Sequence, residues 1–216
     1  MTGSLDRARL GPLYAIADAD ALGTTPMPAA VAAMAEAGIR TIQLRAKGRS
    51  GAEQHRLLAE CLAALDGHAV DLWVDDRADL AALFPVAGVH VGQRDLPPAA
   101  ARRVVGRGAW IGLSTHGEAQ VEAAEEDPEV DLVAVGPVFA TASKERPDPV
   151  VGLRFVRRAR QLTGKPLVAI GGIGADSVAD VLAAGADSAV VLSAVCRGGL
   201  GGIADNCRRL LACASS

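Results

Sequence analysis

Eight short apolar runs recur between Leu13 and Ser193, each followed by a longer stretch rich in helix formers. No other feature of the chain narrows its possible folds as much. Runs of this kind suit strands buried on both faces, and their alternation with amphipathic segments suits consecutive βα units around a parallel sheet. The runs are Leu13 to Ala17, Thr41 to Arg45, Leu72 to Asp75, Gly88 to Gly92, Trp110 to Ser114, Leu132 to Pro137, Leu167 to Gly171 and Ser188 to Ser193. Helices are expected over Pro28 to Ala37, Gly51 to Leu65, Leu153 to Leu162 and Asp176 to Ala184, where Ala, Leu, Glu and Arg dominate. Gly38 and Gly185 each follow such a stretch and precede a strand, as a glycine ending a helix in the left-handed conformation does. An open doubly wound sheet would announce itself with a GxGxxG turn after the first strand, and Asp18-Ala19-Asp20 stands there instead. The expectation is a single (β/α)8 TIM barrel spanning residues 1–216.

Composition sets aside several classes of function. The formal charge is −3, from 22 basic against 25 acidic residues, and aromatics are 3% of the chain, so neither a phosphate-backbone footprint nor a base-stacking platform is present. Nucleic acid is not an expected partner. The four cysteines, Cys61, Cys196, Cys207 and Cys213, show no CxxC spacing and read as reduced structural thiols rather than zinc ligands. With no signal-like apolar stretch at its start and no run near the ~20 apolar residues of a membrane span, the protein is expected in the cytoplasm and off the membrane.

The chemistry sits where strands end. Val135 to Lys144 and Ala169 to Ile173 each carry an apolar strand into glycine, and the first continues into the hydroxyls of Thr141 and Ser143 and then Lys144. In a barrel such ends converge on the C-terminal face, where late strands often build phosphate sites. A phosphorylated small molecule is the expected ligand, and the Pro-rich connection after Lys144 is expected to act as a lid. In the second strand Gln43, Arg45 and Lys47 alternate, so they share one side, and a guanidinium fork beside a compact ammonium suits a pyrophosphate. The third and fourth strands end in Asp75-Asp76-Arg77 and Gln93-Arg94-Asp95. Carboxylates meeting across neighbouring strand ends with no soft ligands suit Mg²⁺, with Asp76 and Asp95 as its ligands. Asp79 reads as an ordinary helix or cap residue. Ser114 can donate to a ligand or cap the following helix. His116 is of the residue type suited to proton transfer, and a single histidine at such a place reads equally as structural; His55, His68 and His90 have weaker claims.

Gln43-Leu44-Arg45-Ala46-Lys47, Asp75-Asp76-Arg77, Gly88 to Asp95, Ile111 to His116, Gly136 to Lys144 and Ala169 to Ile173 occur in this order over nearly the whole chain. Together they resemble the thiamine phosphate synthase family. The resemblance implies an enzyme that joins hydroxymethylpyrimidine diphosphate to a thiazole phosphate with Mg²⁺, releasing pyrophosphate and thiamine monophosphate. It implies that Gln43, Arg45 and Lys47, with Ser114 and Lys144, hold the pyrimidine diphosphate, and that Asp76 and Asp95 hold the metal. Thr141, Ser143, Gly172, Leu192 and Ser193 would surround the thiazole phosphate.

Two positions depart from the family pattern. Ala46 stands where Glu is common, and Asp75 where Asn is usual. An ionised carboxylate accepts hydrogen bonds but cannot donate them, so Asp75 is expected to turn toward the metal or its waters rather than to a phosphate oxygen. Two other functions draw on the same scaffold. One is the related thiazole tautomerase, which works without metal and uses a histidine after the fifth strand, where His116 stands. The other is a non-catalytic protein that holds thiamine precursors.

Overall fold

The eight runs form eight parallel strands: β1 (Leu13–Asp18), β2 (Thr41–Arg45), β3 (Asp71–Asp75), β4 (Gly88–Val91), β5 (Trp110–Thr115), β6 (Leu132–Val135), β7 (Leu167–Ile170) and β8 (Ser188–Val191). They pair in sequence order, and β8 closes on β1 through Tyr14 opposite Val190. The structure is a computed structural model and describes residues 10–141 and 149–215. Its helices are α1 (Ala19–Leu22), α2 (Met27–Glu36), α3 (Gly51–Ala64), α4 (Ala78–Ala81), α5 (Pro98–Val105), α6 (Glu118–Glu126), α7 (Gly152–Leu162), α8 (Val178–Ala183) and α9 (Gly199–Ala214). The expected (β/α)8 barrel is the observed fold. Among the described residues no helix is long and apolar enough to cross a membrane.

The period of two along each strand divides the apolar residues into two cores. Outward-facing Ala15, Ile42, Val74, Val89, Ile111, Val133, Ala169 and Val191 pack with the helices in one cluster. Inward-facing Tyr14, Ile16, Trp73, Leu132, Ala134, Val168 and Val190 fill the lumen in another. Tyr14 and Trp73 meet there with ring centroids 5.9 Å apart. Room for the indole comes from β4: a Cβ on Gly88 would lie 2.7 Å from Trp73 Cζ3.

Helix ends follow local chemistry. Ser50 and Glu53 form a reciprocal capping box at the start of α3, with Ser50 N donating to Glu53 Oε2 at 2.8 Å and Glu53 N to Ser50 Oγ at 3.3 Å. Gly38 and Gly185 close α2 and α8 with φ of 103° and 106°, in the region only glycine enters freely. Several strands stop sooner than the apolar pattern suggests. β6 ends at Val135 rather than Pro137, because proline has no N–H to give the ladder. β7 ends at Ile170 where Gly171 and Gly172 turn the chain with φ of 108° and 64°. β8 ends at Val191, beyond which Leu192 O accepts from Val195 N at 3.1 Å in a turn. All four cysteines are free. Burial pushes the thiols of Cys61 and Cys207 up to about 12 and that of Cys196 to about 11, so they act as packing groups.

Candidate active site at the strand ends

Lumen-facing side chains turn polar toward the C-terminal ends of the strands. Gln43 is 3% exposed, and its Nε2 donates to the Tyr14 hydroxyl at 3.0 Å. Burial holds the Tyr14 phenol well above its usual range, so it stays neutral. One layer higher, Arg45 donates from Nη1 to Asp18 Oδ2, and its Nε lies 3.6 Å from Asp75 Oδ2. Lys47, past the end of β2, places Nζ 2.8 Å from Asp76 Oδ2 and 3.7 Å from Asp75 Oδ2. The structure thus gathers Arg45, Lys47, Asp75 and Asp76 into one cluster, as the alternation in β2 anticipates.

The carboxylates of this cluster crowd one another. Burial, and then the charge of Asp76, pushes Asp75 up to about 7 even though both cations face it. Asp75 Oδ2 is buried and lies beyond hydrogen-bond reach of either cation. Asp76 is also raised, by burial first and by Asp95 against it, with Lys47 opposing the shift. Its backbone takes φ of 59°, a conformation that non-glycine residues seldom adopt but that Asp tolerates, and its N–H donates to His90 O at 2.8 Å. Asp95 Oδ2 accepts from Gly92 N at 2.8 Å, and a Cβ on Gly92 would lie 2.9 Å from that oxygen. Asp79 forms a two-pronged pair with Arg77, at 2.8 and 2.6 Å, outside the cluster.

Ser114 is held from two directions. Its Oγ lies 2.9 Å from His90 Nε2, and its carbonyl accepts from Gln93 Nε2 at 2.7 Å. A Cβ on Gly112 would run into the His90 ring. His116 is set differently: its Nδ1 lies 2.6 Å from Gly136 O, and its N–H donates to Gln120 Oε1 at 2.7 Å.

Among the described residues, Thr141, Gly172, Leu192 and Ser193 lie past the ends of β6 to β8. Val138 N donates to Ile170 O at 2.8 Å and Phe139 N to Gly171 O at 2.9 Å, which laces the two loops together. A Cβ on Gly172 would stand 2.5 Å from Ala140 O, so the close approach requires glycine. Thr141 follows this lacing, and Leu192 and Ser193 are partly buried beyond β8. Ser143, Lys144 and most of the expected lid lie outside the described residues.

Asp18 and His90 escaped the reading of the sequence as members of this rim. Both have the lumen-facing parity of their strands, shared with Tyr14 and Ile16 in β1 and with Gly88 in β4. That parity was the available signal.

Comparison with known proteins decides the kinship of this rim. The family model described as thiamine monophosphate synthase matches residues 13–195, a segment that includes every residue of this rim. The chain belongs to the thiamine monophosphate synthase family. A family relative, the thiamine-phosphate synthase of Koribacter versatilis, is 46% identical over 189 residues, covering 86% of this chain and 89% of its own. The thiamine-phosphate synthase of Acidothermus cellulolyticus is 44% identical over 170 residues, covering 78% of this chain and 80% of its own. The solved structure of thiamine phosphate pyrophosphorylase from Pyrococcus furiosus superposes with a TM-score of 0.85 at 28% identity, over 97% of each chain.

Proposed function

We propose that this member of the family forms thiamine monophosphate. It does so by joining 4-amino-2-methyl-5-hydroxymethylpyrimidine diphosphate to 4-methyl-5-(2-phosphoethyl)thiazole. The thiazole nitrogen bonds to the pyrimidine methylene carbon as the carbon–oxygen bond to the diphosphate breaks, and pyrophosphate leaves. The observation that carries this reading is the cluster of Arg45 and Lys47 against Asp75 and Asp76, within a barrel whose relatives are thiamine-phosphate synthases.

In this reading Arg45, Lys47, Ser114 and Lys144 receive the diphosphate and stabilise the charge that grows on it as the bond breaks. Gln43, fixed by Tyr14, lies beneath them and orients the pyrimidine end. Thr141, Ser143, Gly172, Leu192 and Ser193 take the thiazole phosphate on the opposite side, which sets the attacking nitrogen facing the methylene carbon. The reaction needs no protein nucleophile.

Asp76 and Asp95 fit a Mg²⁺ ion. They are hard oxygen donors brought together from neighbouring strand ends, and the charge of Asp95 disfavours ionisation of Asp76. When bound, Mg²⁺ supplies positive charge to the departing pyrophosphate. The four free cysteines support a reducing compartment, and hence the cytoplasm, as the place of work.

The test is direct. Purified protein with both substrates and Mg²⁺ should yield thiamine monophosphate and pyrophosphate in equal amounts. Proton exchange on a thiazole carboxylate phosphate without pyrophosphate release would indicate a tautomerase, and binding of both substrates without turnover would indicate a carrier.

A further inference from the structure

Asp18 ends β1 at 4% exposure, and its two oxygens have separate duties. Oδ1 accepts from Asp20 N at 3.1 Å and from Ala21 N at 2.9 Å, closing the first turn of α1. Oδ2 accepts from Arg45 Nη1. The two residues are register partners across the β1–β2 ladder. Because backbone N–H groups hold Oδ1, the carboxylate cannot swing away, and the β1–α1 turn fixes where Oδ2 lies.

Stability does not explain such an arrangement. A buried ion pair roughly breaks even against apolar packing of the same volume, so what distinguishes this one is the geometry it imposes. A guanidinium anchored at Nη1 and tethered through its own side chain has its remaining N–H groups confined to the strand end. Arg45 Nε stays 3.6 Å from Asp75 Oδ2, close enough for attraction and too far for a hydrogen bond.

We propose that Asp18 is a positioning residue for the diphosphate substrate: it orients Arg45 and keeps that side chain from closing onto Asp75. The inference rests on the synthase reading of the rim. With Asp18 neutralised, the Arg45 guanidinium moves onto Asp75, and the diphosphate must then compete with a carboxylate for its donors.

A double-mutant cycle tests this. Asp18→Asn keeps an oxygen for the α1 cap and removes the anion. It should raise KM for the pyrimidine diphosphate about tenfold, the scale of one disordered rotamer-rich contact. KM for the thiazole phosphate should stay unchanged, and the Asp18→Asn change should add nothing in an Arg45→Ala background. Equal rises in both KM values, or an undiminished effect of Asp18→Asn without Arg45, would overturn the proposal. Should Asp18→Asn fail to fold, Asp18→Ser carries the same cycle, since serine caps helices but is too short to reach Arg45. A wild-type protein that makes no thiamine monophosphate would refute the synthase reading instead. The cycle is then read from calorimetric Kd values for pyrophosphate with Mg²⁺, where non-additivity supports the positioning role and additivity overturns it.

Discussion

Asp75 sets a carboxylate between Arg45 and Lys47, and burial makes that carboxylate costly. Its folded pKa is pushed up to about 7 from an ordinary 3.8. Between those values the folded chain binds more protons than the unfolded one, so stability is greatest below about pH 4 and is lost as pH rises through about 7. Asp75→Asn should therefore stabilise the metal-free protein at pH 8 by on the order of 2–4 kcal/mol and leave it unchanged at pH 3.5. Urea denaturation at the two pH values checks this, and an equal gain at both would contradict it. The same variant should keep its synthase activity. The alternation of Gln43, Arg45 and Lys47 was legible in the sequence because period-two geometry needs only local information. Asp18 and His90 were not, because their roles depend on Arg45 and Ser114, which only pairing across strands brings near.

At the scale of elements, the strands were legible and their ends were not. Continuous apolar runs mark strands buried on both faces, whereas termination depends on single residues such as Pro137 and Gly171. A device repeated at the feet of β6 and β8 also became visible only in the fold. Asp131 Oδ2 accepts from Ile111 N at 2.8 Å and pairs with Arg102 from α5, and Asp187 Oδ2 accepts from Leu167 N at 2.8 Å and pairs with Arg160 from α7. Each aspartate ties a strand to its neighbour and to the helix that precedes that neighbour. The lumen offers a sharper test of packing. Gly88→Ala would press a methyl against both Trp73 and the Trp110 carbonyl at 2.7 Å. The variant should lose about 1–3 kcal/mol, the usual cost of overpacking a core. Unchanged urea stability would show that the indole can shift freely.

For the whole molecule, closure of the barrel places β2 and β3 across from β6 and β7, with β8 between β7 and β1, so the two halves of the candidate site open onto the same lumen. In the proposed reaction the cations and carboxylates of the first half bind and charge-balance one substrate, and the glycine-rich loops of the second half receive the other. That proposal assigns metal-dependent pyrophosphate release to the cluster at the β2 and β3 ends and not to acidic residues nearby. The decisive measurement compares that release, with both substrates and saturating Mg²⁺, in the wild-type protein, in Asp76→Ala and in Asp79→Ala, whose carboxylate pairs with Arg77 outside the cluster. The rate should fall by roughly 100-fold or more in Asp76→Ala and stay near wild type in Asp79→Ala. Full activity in Asp76→Ala, or an equal loss in both variants, would contradict the placement of the reaction on this rim.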